Sequence, residues 1–167
     1  MKLRELMKLK KLKKLMELKG MAVLLVICAV ACTSIECPVQ NRVLSVYAVE
    51  DTLKDTLTIL TTRKNRKDTI LLNSSQNTIK FSLPMSYQNS IDTLIFKTTR
   101  LVATDTVWVE KTNMAHFESV DCGMSYFHDI KSVRSTHVGI DTITIIKSFV
   151  DYDNKTSHLS IRFKSRN

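Results

Sequence analysis

From residue 42 onward, apolar and β-branched residues alternate with polar ones in short runs broken by Asn, Ser, Asp and Lys. The C-terminal run is the cleanest. Leu159, Ile161 and Phe163 fall on one side of an extended chain, and Ser160, Arg162 and Lys164 on the other, because successive strand side chains point to opposite faces. The same reading predicts strands over residues 42–49, 56–62, 69–73, 78–83, 93–100, 106–111, 115–120, 142–149 and 158–164. Residues 126–137 fit a strand, a short helix or a covering loop equally well. Turn-forming stretches such as Asn73-Ser74-Ser75-Gln76-Asn77 and Gln88-Asn89-Ser90 separate the runs, since these side chains bond their own backbone. Short strands at near-regular spacing, with no helical period between them, predict an all-β antiparallel sandwich, Ig-like or a related Greek key, of about eight to nine strands.

The first 31 residues have a different pattern. Residues 1–20 carry eight Lys/Arg against two Glu, and an eleven-residue apolar run, Met21–Ala31, ends at Cys32. A positive flank, a short apolar core and the small residues Ala29 and Ala31 before a cysteine describe a lipoprotein signal peptide with Cys32 as the lipidated residue. The run is about half the roughly 20 residues a spanning helix needs. Six leucines, Leu3 to Leu18, recur every third residue. At 100° per residue this spreads them around the helix, so no single membrane-binding face forms. The predicted organisation is a signal peptide over 1–31, a lipidated tether over 32–41 and one β-sandwich domain over 42–167.

Charge follows that division. The chain carries +9, but removing the leader's eight cations and two acids leaves 17 Lys/Arg against 14 Asp/Glu. No basic stripe interleaved with aromatics remains, so nucleic acid is not an expected partner. Of four cysteines, Cys28 lies in the leader and Cys32 takes the lipid. Cys37 and Cys122 remain as a pair in an oxidising compartment. A bridge between them would close a loop of about 85 residues, worth roughly 4–5 kcal/mol in the chain-entropy model. Two free thiols are the alternative.

Three glycines and two prolines leave no Gly-rich phosphate loop, and no cofactor is expected. No serine sits in a nucleophile elbow, so no catalytic residue is assigned and the chain reads as a non-enzyme. His116, Glu118, Asp121 and His128 are ligand-type residues close in sequence and form a candidate metal site, although no HExxH or CxxC spacing fixes their geometry. Six times Asp-Thr precedes Leu, Ile or Val, with the threonines at Thr52, Thr56, Thr69, Thr93, Thr106 and Thr142. One reading is strand-entry chemistry, Asp closing a turn and Thr entering the pleat. The other is modification, because the tripeptide resembles the acceptor of the general O-glycosylation system of Bacteroidota.

The strings CTSIECP (32–38), FSLPMSY (81–87), HFESVDC (116–122) and THVGIDTI (136–143) resemble a family of small uncharacterised lipoproteins of the Bacteroides group. The resemblance implies an exported, membrane-tethered β domain and no particular chemistry. Only Glu36 follows Cys32 closely, short of an acidic surface-export run, so the periplasmic face of the outer membrane is the expected location. The functional expectation is a non-catalytic envelope interaction module whose partner is a protein or a glycan. The alternative is a metal- or small-ligand-binding protein built on His116, Glu118, Asp121 and His128.

Overall fold

A computed structural model describes residues 43–63, 66–117 and 122–165, together with Lys13. The chain divides into two compact units, Met1–Cys37 and Pro38–Asn167, and all described strands belong to the second. The expected signal peptide, Cys32, Cys37, Glu118 and Asp121 lie outside the described residues.

Ten strands follow in order: β1 (Leu44–Leu53), β2 (Leu57–Arg63), β3 (Arg66–Ser75), β4 (Thr78–Pro84), β5 (Ile91–Thr98), β6 (Ala103–His116), β7 (Ser125–Ser135), β8 (Ile140–Ile145), β9 (Phe149–Val150) and β10 (Leu159–Phe163). They form a sandwich of a four-stranded sheet, β4-β1-β10-β8, and a six-stranded sheet, β3-β2-β5-β6-β7-β9. Every pairing is antiparallel except β1 with β10, where Tyr47, Ala48 and Val49 run parallel to Leu159, Ser160 and Ile161. First and last strands thus close the smaller sheet side by side.

The all-β sandwich is as the alternation predicts, but most strand boundaries shift by one to four residues, and in three places the division into strands differs. The expected strand at 106–111 and the first residues of the one at 115–120 run together in β6, because Thr112-Asn113-Met114 continues the ladder against β7 instead of turning; β6 ends at His116, and residues 118–120 lie outside the described residues. The ambiguous stretch 126–137 is mostly β7, whose inner face carries His128 beside Ile130 and so lacks an apolar alternation. The expected strand 142–149 breaks after Ile145, and the chain crosses to the other sheet as β9.

Alternation fixes which side chains are buried. In β5 the inward positions are Asp92, Leu94, Phe96 and Thr98; in β6 they are Ala103, Asp105, Val107, Val109 and Lys111. At the centre Tyr47 stacks on Phe81 with ring centroids 4.9 Å apart, and Phe96 from the opposite sheet meets Phe81 edge-on at 6.1 Å. These rings join the sheets, and each buried side chain of this size contributes about 1.5–3 kcal/mol. Burial holds the Tyr47 phenol well above its usual range.

Asn77, Ser74 and His137 take positive φ in or beside turns, and so does Val102 at 50°. Val102 closes the tight β5–β6 turn with its side chain 84% exposed. A β-branched residue is poorly suited to that conformation.

Candidate functional site

Lys111 and Asn113 occupy successive inward positions of β6, where alternation would place apolar groups. Both point at the link between β4 and β5, residues 85–90, which carries the chain from one sheet to the other. The Lys111 side chain is 0% exposed. Its Nζ donates to the carbonyls of Ser86 and Asn89 (2.6 Å for Asn89) and to Asn113 Oδ1, and it lies 3.5 Å from Asp92 Oδ2. Asn113 Nδ2 donates to the carbonyls of Tyr87 and Asn89, both at 3.0 Å. Because its amide nitrogen faces two acceptors, Oδ1 faces His128, whose Nδ1 lies at 2.8 Å. His128 therefore donates from Nδ1. Ser86 N–H in turn donates to Asp92 Oδ2.

This hub is buried and polar, and burial dominates its titration. It pushes the Asp92 carboxyl up, with Lys111 pulling it back. It pulls the Lys111 ammonium down, against the pull of Asp92. His128 is lowered to about 4, first by burial and then by the positive charge of Lys111. Perturbed groups of this kind mark active sites when they have a reacting atom to offer. Here all three Lys111 donors and all four Asn113 bonding positions are taken by the loop and by one another. The chemistry they perform is to hold a loop. Asp92 also lines a cleft of about 720 Å³ with Leu71, Met85 and Leu94 beside it and Thr61, Ser86 and Asn89 among its polar walls.

Beyond β5, β6 and β7 run on as a hairpin, Met114 opposite Phe127 and His116 opposite Ser125. On its outer face His116 stacks on Phe127 at 4.2 Å, and Phe127 meets Phe149 and Tyr152 edge-on at 5.8 and 5.1 Å. On the other face Tyr126 stacks on Tyr87 of the held loop at 5.0 Å. Tyr87 and Phe149 are exposed here. Tyr47 and Phe96 are core, and Trp108 lies under the Arg134 guanidinium.

The candidate metal ligands do not converge among the described residues. His128 faces inward with Ile130, whereas His116 shares the outer face with Phe127. Among the described residues no three His, Cys, Asp or Glu groups gather as a metal site.

The six Asp-Thr tripeptides separate into two kinds. Asp55, Asp92 and Asp105 are buried. Asp55 accepts from Thr56 N at 2.6 Å and from Arg100 N and Leu101 N at 2.8 and 3.0 Å; burial raises its pKa, and the backbone donors outweigh that and lower it. Asp105 accepts four bonds from the β7–β8 link: Thr136 Oγ1 and Val138 N on Oδ1, Gly139 N and Ile140 N on Oδ2, at 2.6–2.9 Å. Each of these carboxylates latches a turn or a sheet-changing link. Asp51, Asp68 and Asp141 are exposed. Asp141 takes the Arg162 guanidinium at 2.7 Å, and Arg162 also donates to Thr142 Oγ1. Thr106, taken from sequence as a strand entry, is the fourth residue of the central strand β6, and Thr52 and Thr69 lie within β1 and β3.

Sequence reasoning missed Lys111, Asn113 and the latching role of the aspartates. The available signal was parity: Asp105, Lys111 and Asn113 share the inward register of Val107 and Val109.

No curated protein and no solved structure matches the chain. A family model does, over residues 43–163, a span that opens one residue before β1 and ends with the last residue of β10. What it describes is thus the sandwich with its held loops and projecting hairpin, and on that match the chain belongs to the family of unknown function DUF6452.

Proposed function

We propose that this protein is an exported lipoprotein of Bacteroidota, anchored through Cys32 to the periplasmic face of the outer membrane, where it serves as a non-catalytic interaction module. One observation carries the non-catalytic part: five buried groups with chemistry to offer, Asp55, Asp92, Asp105, Lys111 and His128, are engaged in holding loops, and a sixth, His158, accepts from Val46 N at 3.0 Å within the smaller sheet. They act as scaffold, and what the domain presents outward is side-chain surface, with Tyr87, Phe117 and Phe149 among its exposed large apolar groups. The anchor part rests on the charged leader, the short apolar run and Cys32.

The Cys37–Cys122 bridge belongs to the same reading. It is supported by a disulfide-bonded Cys122 and by the export that the leader implies. The metal-binding alternative needs His116 and His128 to converge, and they face opposite ways. Cys32→Ser is expected to release the protein from the membrane fraction and leave its leader unprocessed by the lipoprotein pathway. Unchanged maturation and fractionation would overturn the anchor. Crosslinked pull-down from native envelope, compared between wild type and surface variants of the hairpin, identifies the envelope protein or glycan partner. Capture that ignores every hairpin variant would overturn the assignment of the interaction to that end.

A further inference from the structure

The inner face of the six-stranded sheet turns polar where β5 begins. Leu57 and Ile59 of β2 are fully buried, but Thr61, next in that register, is half-buried. In β5, Asp92 precedes Leu94 and Phe96 on the inward face. Thr61, Leu71 and Asp92 line one side of the cleft of about 720 Å³, and residues 84–89 line the other. That volume falls in the range of roughly 300–1,000 Å³ that small-molecule sites occupy. The loop side is fixed before any ligand arrives, because Lys111 and Asn113 hold the carbonyls of Ser86, Tyr87 and Asn89.

Two atoms of the cleft keep unused hydrogen-bonding capacity. The Asp92 side chain is only 10% exposed. Its Oδ2 accepts from Ser86 N at 3.1 Å and lies 3.5 Å from Lys111 Nζ, whereas Oδ1 accepts no bond among the described residues. Ser86 Oγ accepts from Gln88 N and Asn89 N, both at 3.3 Å, which leaves its O–H to donate. A largely buried carboxylate oxygen without a donor is costly, so a ligand that brings one is stabilised.

Charge selects the ligand class. Asp92 is the one charged residue lining the cleft among the described residues. An anion finds no cation there, because the Lys111 side chain is 0% exposed and its donors are taken by Ser86, Asn89 and Asn113. A ligand ammonium would meet Lys111 Nζ at the same carboxylate, and like charges repel strongly in a poorly solvated site. A purely apolar ligand would cover Oδ1 and leave it unbonded. A neutral hydroxyl suits both atoms, since it donates to Oδ1 and accepts from Ser86 Oγ. Gln88 and Asn89 add polar side chains to the rim, while Leu71, Met85 and Leu94 offer apolar surface.

We infer that this cleft binds a neutral mono- or disaccharide, with its hydroxyls on Asp92 Oδ1 and Ser86 Oγ and its C–H face against Leu71 and Met85. A sugar matches the mixture of lining groups better than a simple alcohol does, because it carries several hydroxyls on one rigid, partly apolar ring. The site goes beyond the interaction module proposed above. It depends neither on the anchor at Cys32 nor on the surface of the hairpin.

The test titrates the full chain, ¹⁵N-labelled and held in a detergent without a sugar headgroup. The probes are glucose, mannose, N-acetylglucosamine, lactose and maltose, with inorganic phosphate and benzylamine as the anion and the cation. At least one saccharide should shift the amide signals of residues 61–62 and 85–94, and neither charged probe should. Asp92→Asn should weaken that saccharide by about tenfold or more. The amide would keep its oxygen on Ser86 N–H and turn its NH₂ toward the ligand. Thr62→Trp, at an exposed position of the cleft outside the Lys111 hub, should block binding by filling the space. It decides the matter if the Asp92 variant loses its native signal dispersion. Val102→Asn, beyond the other end of β5, should bind as wild type does. The inference is overturned if no saccharide shifts the cleft, if phosphate or benzylamine shifts it more, or if binding is unchanged in either folded cleft variant. Shifts confined to Phe127 and Phe149 overturn this site and leave the interaction module standing.

Discussion

Asp105→Ala removes one acceptor group on which four hydrogen bonds converge. Two of the donors, Gly139 N and Ile140 N at 2.7 and 2.9 Å, belong to buried residues, where water cannot readily replace the carboxylate. A buried donor left without its partner costs about 1–3 kcal/mol, so these two alone predict a loss of about 2–6 kcal/mol. Val138 N and Thr136 Oγ1 sit at the surface and add less. A domain of this size is stable by only about 5–15 kcal/mol, so the loss is a large fraction of the whole. Asp105→Asn does not rescue it, because an amide NH₂ would face N–H donors on one side. Gly139→Ala strikes the same latch from the other direction. A Cβ there would lie 2.6 Å from Ala103 Cβ and 3.3 Å from Asp105 Oδ2, forcing the link off the carboxylate. Asp68→Ala, in the same tripeptide but exposed on β3, is the control and leaves stability unchanged. Urea unfolding followed by far-UV circular dichroism and Trp108 fluorescence reads all four variants. A loss below about 1 kcal/mol for Asp105→Ala, or an equal loss for Asp68→Ala, would refute the latch.

Three further outcomes are expected. Val102→Asn relieves a β-branched residue at φ 50° without removing a buried contact, and raises stability by up to about 1 kcal/mol in the same urea titration; a lower midpoint counts against strain in that turn. His128 has a native pKa of about 4 against 6.5 when unperturbed, so the unfolded chain binds a proton that the folded hub does not. This contribution is complete above pH 6.5 and is lost as pH falls toward 4, at a rate of at most about 1.4 kcal/mol per pH unit. His158, also lowered, chiefly by burial, adds to the same slope. His128→Gln should flatten stability against pH across that window, and a slope identical to wild type contradicts the assignment. If the Asp-Thr tripeptides are glycosylated in the native host, sugar mass should be lost on Thr→Ala change at Thr52, Thr69 or Thr142, whose aspartates are exposed. Increments mapped instead to Thr56, Thr93 or Thr106, beside buried aspartates, would show that an accessible acid is not needed.

The fold class was legible because strand alternation is a local signal, two residues in period, and nearly every strand carries it. In two of the three places where the reading of strands failed, a polar side chain had replaced an apolar one on the inward register; in the third, after Ile145, the chain changes sheets. His128 made β7 look irregular, and Asn113 made β6 look broken. The site was hard to read for the same reason. Lys111 resembles a solvated strand residue until β6 is known to continue and residues 85–90 are known to return over it. The Asp-Thr tripeptides extend the point. Six copies of one local string meet opposite environments, because what buries Asp55 and Asp105 is a turn at 99–101 and a link at 136–140, respectively about 45 and 30 residues downstream. Local chemistry supplies a carboxylate next to a β-branched residue, and topology decides whether that carboxylate becomes a latch or a surface charge. Asp92 combines both, latched to Ser86 N and Lys111 while still lining the cleft. Removing Lys111 would therefore free the loop and leave that acid buried without a counter-charge, so the hub is held together by mutual need: each charge is tolerable inside the sandwich only because the loop and the opposite charge are there to meet it.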